Sequence, residues 1–319
     1  MSNPFVSIII PSKNINGNLK RCIDYCLKLN YSDFEIIVAP DKDENIDLPN
    51  VKIVATGEVK PGTKRDIASK NAKGEIFAFI DDDAYPDRDW LVNAVKNFKD
   101  PKVAAVGGPA VTSSDDTLKE KASGKVYETF IVTGPYRYRY IKCKRGYVKD
   151  FPSCNYLIRK NVFDKLGGFN TTFWPGEDTK LSHGIIDKLK MKIIYDPEVL
   201  VYHHRRTLFL PHLKQIASYA LHRGYFIKKY PKNSFNVYYF LPSILVLGLF
   251  FGFVLSLLSL KINLLFLYFL IVYLGTVFMF GLNKNIKMFL LIFSGIILSH
   301  ITYGLFFLKG LFSKRLREE

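Results

Sequence analysis

Short apolar runs alternate with helical patterns through the first 230 residues or so of the chain. Four runs are continuous, rich in β-branched residues and bounded by Pro, Asp or Gly, which is typical of buried strands. They cover residues 5–10, 34–39, 51–55 and 76–80. Helical spacing follows the first run over residues 18–30 and the third over residues 62–74, where Gly74 is the candidate C-cap. This alternation predicts an α/β fold with a mostly parallel sheet and right-handed crossovers.

After residue 232 the sequence consists mainly of three long apolar runs. No charged residue occurs from Asn233 to Leu260, from Ile262 to Asn283 or from Met288 to Leu308. Each run reaches the roughly 20 residues that a bilayer-spanning helix needs. The alternative is a set of very apolar helices in a soluble core. We therefore predict a catalytic domain over residues 1–232 and a membrane module of about three hydrophobic helices over residues 233–319.

The orientation in the membrane follows from the two ends of the chain. The sequence around Pro4 does not resemble a signal peptide, so we expect a multi-pass protein of the cell membrane with a cytoplasmic catalytic domain. Three crossings would place the basic tail "KGLFSKRLREE" outside, against the positive-inside rule. Either the third run, interrupted by Gly295, His300 and Gly304, is re-entrant or interfacial, or the rule fails here. We expect the tail to remain cytoplasmic.

The charge of the chain limits its partners. The formal net charge is +16 and the pI about 9.5, which indicates an anionic partner such as nucleic acid, a membrane surface or a phosphorylated substrate. The basic residues are spread along the chain without a nucleic-acid-binding motif, so we expect no nucleic acid. The cysteines at 22, 26, 143 and 154 lack CxxC spacing, and we expect free thiols in a reducing compartment.

Three consecutive acids, Asp81, Asp82 and Asp83, follow the fourth predicted strand. In open α/β sheets ligands bind beyond the carboxyl ends of the strands. If the extended backbone continues, Asp81 and Asp83 point to one side and Asp82 to the other. Two carboxylates at this spacing can hold a hard divalent cation, which in turn can bridge the phosphates of a nucleotide. The alternative interpretation is a solvated acidic turn.

Four segments in order resemble the family-2 glycosyltransferases, inverting enzymes of the GT-A fold that use nucleotide-diphosphate sugars. They are "VSIIIPSKN", "PGTKRDIASKNAKGEIFAFIDDDA", "PSCNYLIRKNVFDKLGGFN" with "WPGEDTKL", and "HLKQIASYALHRGYF". The second resembles the helix and DxD-type metal site of the family, the third its acceptor-side segment with the ED motif, and the fourth its Gln-x-x-Arg-Trp helix. The matches cover nearly the whole part before the apolar runs and imply a glycosyltransferase of the hexosyltransferase type.

The resemblance implies a catalytic role for each acidic motif. Mg²⁺ or Mn²⁺ is expected on Asp83 and Asp81, with Asp81 also near the ribose and Asp82 completing the donor-binding motif. Such a cation stabilises the charge of the departing nucleotide diphosphate. Asp178 is implied as the base that takes the proton of the acceptor hydroxyl, with Glu177 supporting it. Acids at these positions also suit the first turn of a helix.

The resemblance places further donor contacts before the acidic motif. The family has an Asp-Asp-Gly-Ser run after its second strand, where this chain has Asp41; Pro40 replaces the first acid, and Asp43 matches less well. Lys64 and Arg65 stand where basic residues of the family approach the nucleotide. A Lys-Arg pair early in a helix is otherwise simply solvated.

The last matching segment departs from the family pattern. Gln215 matches, but Ser218 and Tyr219 stand where the family has Arg and Trp, and Arg223 is the candidate for the diphosphate contact. A basic run at residues 203–206 follows another predicted strand. It can reach phosphate, a metal through its histidines, or a membrane surface.

The resulting hypothesis is a membrane-attached inverting glycosyltransferase with a nucleotide-diphosphate sugar donor and a lipid-linked or polysaccharide acceptor. A polyprenyl-phosphate sugar synthase is the alternative enzyme, whose ionised phosphate acceptor would not depend on Asp178. A non-enzymatic membrane protein with a nucleotide-binding head is the alternative from another class, although His300 alone interrupts the apolar runs with an ionisable group. The sequence identifies neither sugar, nucleotide nor acceptor, nor whether residues 110–150 cover the acceptor or face the membrane.

Overall fold

The computed structural model describes residues 3–43 and 50–318. These residues form two compact units. The first contains residues 3–43, 50–111, 138–204 and 318, and the second contains Thr112–Arg137 and Arg205–Arg317. The boundary at residue 232 that the sequence suggests between a catalytic domain and a membrane module remains a prediction.

The first unit is built on strands β1 (Val6–Pro11), β2 (Phe34–Ala39), β3 (Val51–Ile53), β4 (Ile76–Ile80), β6 (Val103–Gly107), β8 (Gly146–Val148), β9 (Asn155–Arg159) and β10 (Lys192–Tyr195). They form one sheet in the order β3-β2-β1-β4-β9-β6-β10-β8. The first four strands pair in parallel, as does β6 with β10, whereas β9 is antiparallel to both its neighbours and β8 to β10. The α/β class and all four predicted strands are confirmed.

A second, three-stranded sheet has the order β5-β11-β7. Its strands are β5 (Ala84–Pro86), β7 (Ala110–Thr112) and β11 (Val201–His203). Strand β5 begins directly after the three acids, and its antiparallel register places His203 opposite Ala84. This pairing brings the end of β11 beside the acidic motif.

The helices of the first unit are α1 (Gly17–Cys26), α2 (Pro61–Ser69), α3 (Trp90–Asn97), α6 (Lys160–Leu166) and α7 (Glu177–His183), which continues into a π-helical turn at Gly184–Lys188. They cover both faces of the large sheet, so β1 is buried along its whole length. One face packs Ile8 and Ile10 against Cys22 of α1, and the other packs Phe79 against Phe163. Each such buried side chain stabilises the fold by about 1.5–3 kcal/mol.

The expectation that Gly74 caps α2 was wrong. The helix ends at Ser69, and Lys70 is its C-cap. Gly74 instead lies against β1, where its backbone N–H donates to Ser7 Oγ at 2.8 Å. A Cβ atom at residue 74 would lie 2.4 Å from the backbone nitrogen of Ser7, so this close approach requires glycine.

The second unit is helical. It contains α4 (Leu118–Glu128), α5 (Phe130–Thr133), α8 (Leu210–Lys229), α9 (Pro231–Ser234), α10 (Leu241–Ser256), α11 (Leu260–Gly281) and α12 (Ile286–Phe312). Three helices are long and apolar enough to cross a membrane, over Val237–Ser256, Leu260–Gly281 and Ile286–Phe312. Most large apolar side chains of α10 and α11 are exposed, as suits contact with lipid.

Helix α12 is continuous through the residues that interrupt its apolar sequence. His300 Nε2 lies 2.8 Å from the carbonyl oxygen of Ile131 on α5, and its Nδ1 lies 3.1 Å from the hydroxyl of Tyr273 on α11. The carbonyl oxygen of Gly304 accepts a hydrogen bond from Ser243 Oγ on α10. The polar and small residues of α12 therefore face neighbouring helices.

A buried histidine joins three helices of this unit. His212 on α8 places Nδ1 2.7 Å from Ser123 Oγ on α4 and Nε2 3.0 Å from Ser299 Oγ on α12, and its ring centroid lies 4.8 Å from that of Tyr127. Burial lowers the pKa of His212 to about 4. The imidazole is therefore neutral at pH 7.

Acidification from pH 7 to pH 5.5 is expected to remove about 1 kcal/mol of stability through His212. Folded His212 stays neutral down to about pH 4, whereas the same histidine in the unfolded chain takes up a proton near pH 6.5. The unfolded state thus binds more protons in this window, and acid favours it. The check is the apparent Tm of the detergent-solubilised chain at both pH values, for the wild type and for His212→Asn. An equal fall in Tm for both proteins would contradict this assignment.

Candidate functional site

The carboxyl ends of parallel strands bring polar residues to one edge of the large sheet. Strands β1, β2 and β4 run in the same direction and end just before Ser12, Pro40 and Asp81, respectively. The topology therefore places the acidic motif where it was expected, at the edge of the sheet formed by the carboxyl ends of the parallel strands, where ligands bind in such folds.

The middle acid of the motif points away from its two neighbours. Asp82 Oδ2 accepts a hydrogen bond of 2.7 Å from Ser12 Oγ beyond β1. Burial raises the pKa of Asp82 to about 6, with a smaller contribution from the charges of Asp83 and Asp81, while the Ser12 hydroxyl opposes the shift. Asp82 thus joins the motif to the first strand.

The outer acids form a cluster with a histidine. One ligand atom from each of Asp81, Asp83 and His203 lies within 4.8 Å of the others, and His203 Nε2 is 3.3 Å from Asp83 Oδ1. All three side chains are partly exposed. Asp81 and Asp83 come together as expected, but not through a continued extended backbone: β4 ends at Ile80, and the Ala84 N–H donates to the carbonyl oxygen of Asp81 at 3.1 Å across a turn. His203 arrives through the β5–β11 pairing.

This donor set fits a divalent cation. Two carboxylates and one imidazole provide three ligand atoms close enough to share an ion, and the partial exposure leaves room for water or phosphate oxygens. Carboxylate oxygens suit Mg²⁺ and Mn²⁺, whereas an imidazole nitrogen is a poorer ligand for Mg²⁺. The cluster thus suits Mn²⁺ at least as well as Mg²⁺.

Arg65 connects the acidic motif to the start of α7. Its Nη2 is paired with Asp81 Oδ1 at 2.5 Å and its Nη1 with Glu177 Oε1 at 3.1 Å. Burial alone would lower the pKa of Arg65, but the charges of Asp81 and Glu177, and to a lesser degree that of Asp178, raise it. Burial raises the pKa of Glu177 despite the guanidinium beside it. Arg65 therefore acts here as a buried bridge between carboxylates.

Lys64 is engaged in the same way with the loop after β2. Its Nζ donates to Asp41 Oδ1 at 2.5 Å, to Thr56 Oγ1 at 2.8 Å and to the carbonyl oxygen of Gly57 at 3.2 Å. Lys64 is buried, and the interpretation of a solvated Lys-Arg pair is wrong for both residues. The structure brings Asp41 and Lys64 together as one ion pair.

Asp178 lies in the first turn of α7, next to buried Glu177 and itself partly exposed. Gly176 precedes the helix at φ +123°, a backbone conformation that favours glycine. A Cβ atom at Gly62 would lie 3.2 Å from Glu177 Cβ, so α2 approaches α7 closely. The two acids therefore begin a helix, and Asp178 is still exposed enough to reach a substrate, so the two interpretations of the ED motif do not exclude each other.

Gln215 and Arg223 lie on α8 in the second unit. Gln215 Oε1 accepts from Tyr127 Oη at 3.1 Å, and its Nε2 donates to Tyr219 Oη at 3.2 Å. The guanidinium of Arg223 lies 4.9 Å from the ring centroid of Tyr239. The other eight predicted site residues, from Asp41 to Asp178, belong to the first unit.

The residues of the basic run 203–206 have different surroundings. His203 joins the acidic cluster, and His204 donates its backbone N–H to the carbonyl oxygen of Asp83 at 2.9 Å. Arg205 is buried in the second unit, where its backbone N–H donates to Asp116 Oδ2 at 3.0 Å. The sequence alone left three possible roles for His203: phosphate, metal or membrane contact. The feature that pointed to a site was its position at the end of a predicted strand.

Residues 7–167, about half of the chain, match the family model described as glycosyl transferase family 2. The chain belongs to this family. Family membership, together with the relatives and the fold described next, makes it a glycosyltransferase, and the alternative of a non-enzymatic membrane protein is dropped.

Curated relatives of this family-2 glycosyltransferase differ in how much of their length it spans. A dolichyl N-acetyl-α-D-glucosaminyl phosphate 3-β-D-2,3-diacetamido-2,3-dideoxy-β-D-glucuronosyltransferase from Methanococcus voltae is 24% identical, with 86% of this chain and 87% of that protein covered. A pre-mycofactocin glycosyltransferase from Mycobacterium tuberculosis is 25% identical, with 63% of this chain but only 43% of that protein covered.

Two solved structures share the fold. A mannosyltransferase from Pyrobaculum calidifontis in complex with GDP-Man and Mn²⁺ aligns with a TM-score of 0.63 at 19% identity, covering 98% of this chain and 89% of that chain. The GalNAc-T7 structure with UDP, GalNAc and Mn²⁺ aligns with a TM-score of 0.50 at 17% identity, covering 74% of this chain and 52% of that chain. The predicted GT-A type of fold is confirmed.

Proposed function

We propose that this glycosyltransferase is attached to a membrane and transfers a sugar, with inversion, from a nucleotide-diphosphate sugar to a lipid-linked or cell-surface saccharide. The observation that carries the proposal is the cluster of Asp81, Asp83 and His203 at the ligand-binding edge of the sheet, joined through Arg65 to the ED motif. Both solved structures that share the fold were determined with Mn²⁺ and a nucleotide or nucleotide sugar, which supports a donor site of this kind.

The donor's diphosphate is expected at the acidic cluster. Asp81, Asp83 and His203 would hold Mn²⁺ or Mg²⁺, which when bound neutralises charge on the leaving diphosphate. Asp82, tied to Ser12, fixes the backbone between the two carboxylate ligands. The Asp41–Lys64 pair beyond β2 is the proposed contact for the nucleoside. Gln215 and Arg223 are proposed as donor-binding residues on the resemblance of their segment to the family pattern alone.

Asp178 is the proposed general base. Direct displacement at the anomeric carbon requires the acceptor hydroxyl to lose its proton as the new bond forms, and a positioned carboxylate can accept that proton. Glu177 is buried and bonded to Arg65, so we assign it a positioning role. Through Arg65 the start of α7 is held at a fixed distance from Asp81.

The acceptor proposal rests on the apolar helices and on one relative. Three helices are long and apolar enough to span a bilayer, which would keep the enzyme where lipid-carried substrates are found. The name of the Methanococcus voltae relative specifies a dolichyl-linked sugar phosphate as its substrate. We propose an acceptor of that chemical class for this chain.

Replacing Asp83 by Asn is expected to weaken Mn²⁺-dependent donor binding about tenfold or more, because one anionic ligand is lost. The purified full chain is titrated calorimetrically with a panel of UDP- and GDP-sugars in Mn²⁺, Mg²⁺ or EDTA, and nucleotide release is measured with each. Asp24→Asn, an exposed acid on α1, is the matched control. The proposal fails if the wild type takes up neither cation together with any donor.

A further inference from the structure

Most of the net positive charge of this enzyme lies in the part of the chain that contains its apolar helices. No Asp or Glu occurs from Val199 to Arg317, whereas fourteen Lys and Arg occur from Arg205 to Arg317. A segment of such uniform sign attracts an anionic surface.

Seven of them gather where α8 and α12 end side by side. We call this set the basic rim; all its members are exposed, and they are Lys228, Lys229, Lys232, Lys309, Lys314, Arg315 and Arg317. Lys228 Nζ donates to the carbonyl oxygen of Ser313 at 2.6 Å, which joins the two helix ends directly. Residues about 85 positions apart in sequence thus form one surface.

Two glycines let the helices approach closely. A Cβ atom at Gly224 of α8 would lie 2.2 Å from the carbonyl oxygen of Phe307, and one at Gly310 of α12 would lie 1.9 Å from that of Leu221. Contacts this short leave no room for a side chain. The alignment of the two helix ends is therefore fixed by backbone packing.

The contact continues along most of α12. Ser299 is hydrogen-bonded to His212 of α8, His300 to Ile131 of α5, and a Cβ atom at Gly295 would lie 2.8 Å from Val126 of α4. One side of residues 295–313 is thus covered by helices outside the apolar runs, while His300 also contacts Tyr273 of α11 and Gly304 contacts Ser243 of α10.

Helix α8 is too polar for the hydrocarbon core of a bilayer. It carries Lys214, Arg223, Lys228 and Lys229, and charged side chains at the bilayer centre are costly. The part of α12 that packs along α8 must then lie at the membrane surface beside it. Its other face presents exposed Leu298, Leu305 and Phe312, which suits contact with acyl chains.

Aromatic rings support the basic rim. The ammonium groups of Lys228 and Lys229 lie 5.4 and 5.7 Å from the ring centroid of Tyr225, and that of Lys309 lies 5.6 Å from the ring centroid of Phe306. Tyrosine is enriched at the interface between membrane and water, where its ring lies at the level of the headgroups. The ring of Tyr225 beside two ammonium groups therefore supports a position of the basic rim at that level.

We propose that the basic rim binds anionic phospholipid headgroups, and that α12 lies along this leaflet with α8 while only α10 and α11 cross the bilayer. The proposal rests on the membrane attachment inferred above. It places the C-terminal tail on the same side of the membrane as α8. Of the alternatives left open by the sequence, the proposal takes the interfacial third run, and it agrees with the expectation that the tail stays on the side of the catalytic domain.

The first test is the sidedness of three cysteine variants. Lys232→Cys reports the rim side, Lys261→Cys the turn between α10 and α11, and Lys314→Cys the tail. Each is treated with a membrane-impermeant maleimide in intact and lysed cells, with the wild type as background. We expect Lys314→Cys to label like Lys232→Cys and opposite to Lys261→Cys. Labelling like Lys261→Cys overturns this inference alone, whereas identical labelling of all three overturns the membrane crossing as well.

The second test is lipid preference. The purified full chain is mixed with phosphatidylglycerol and phosphatidylcholine, and the retained lipids are counted by native mass spectrometry. We expect the wild type to prefer phosphatidylglycerol by roughly tenfold, and K228Q/K229Q/R315Q/R317Q to lose most of this preference. The matched control, K20Q/K73Q/K102Q/K188Q, removes four exposed charges of the first unit and should keep it. An unchanged preference in the rim variant, or an equal loss in the control, overturns the proposal.

Discussion

Asp178→Asn is expected to lower kcat by about 10²–10⁴-fold while leaving donor binding nearly unchanged. The amide has the shape of the carboxylate but cannot accept the proton of the acceptor hydroxyl. Asp178 is partly exposed at the start of α7, so the substitution leaves no unpaired group in the core. The measurement is the initial rate of sugar transfer at saturating donor, together with donor affinity by calorimetry.

The control for Asp178→Asn is Asp164→Asn, the same change at an exposed acid on α6 that pairs with Lys160. It should retain full activity. If Asp178→Asn also retains most of its activity, the acceptor is ionised without a base. That result would favour a lipid phosphate acceptor, as in a polyprenyl-phosphate sugar synthase, over a saccharide hydroxyl.

Arg65→Gln is expected to destabilise the fold by about 3–5 kcal/mol, because it removes the cation from a buried charge network. Arg65 is 2% exposed and Glu177 5%, so solvent cannot replace the lost partner. Without the guanidinium, the carboxylates of Asp81 and Glu177 also lose the group that holds them in place. We expect a markedly lower apparent Tm and weaker binding of Mn²⁺ with donor.

Two further variants separate charge from position at Arg65. Arg65→Gln combined with Glu177→Gln removes both members of the buried pair and should recover part of the Tm. Arg88→Gln, at an exposed arginine, should leave the Tm unchanged. A wild-type Tm for Arg65→Gln alone would show that this bridge contributes little to the fold.

The sequence was informative wherever one local pattern determines the structure. The strands that precede Asp41 and Asp81 could be predicted because continuous β-branched runs are read without knowledge of their partners. The position of the antiparallel strand β9 between β4 and β6 could not be predicted, since pairing between residues 49 to 83 positions apart leaves no signal in the local sequence. The order of the sheet is thus a product of tertiary packing.

The candidate site shows the same division. The Asp81–Asp83 pair could be expected from two acids at a strand end, although a turn rather than an extended backbone brings them together. The third member, His203, depends on register with β5. Lys64 and Arg65 were predicted near the nucleotide, but their partners Asp41 and Glu177 lie 23 and 112 residues away. Long-range ion pairs have no signature in the neighbouring sequence.

The packing of α4 against α12 has a consequence for synthesis of the chain. Ala122 and Val126 of α4 are covered by Ile292 and Ile296 of α12, which leave the ribosome some 170 residues later. Domains generally fold as units from the N-terminus during translation, so this apolar surface waits for the last helix while the large sheet closes earlier. A chain cut before residue 286 would therefore leave Ala122 and Val126 of the second unit exposed to solvent, and truncations made to obtain a water-soluble fragment should begin by replacing those two side chains with polar ones.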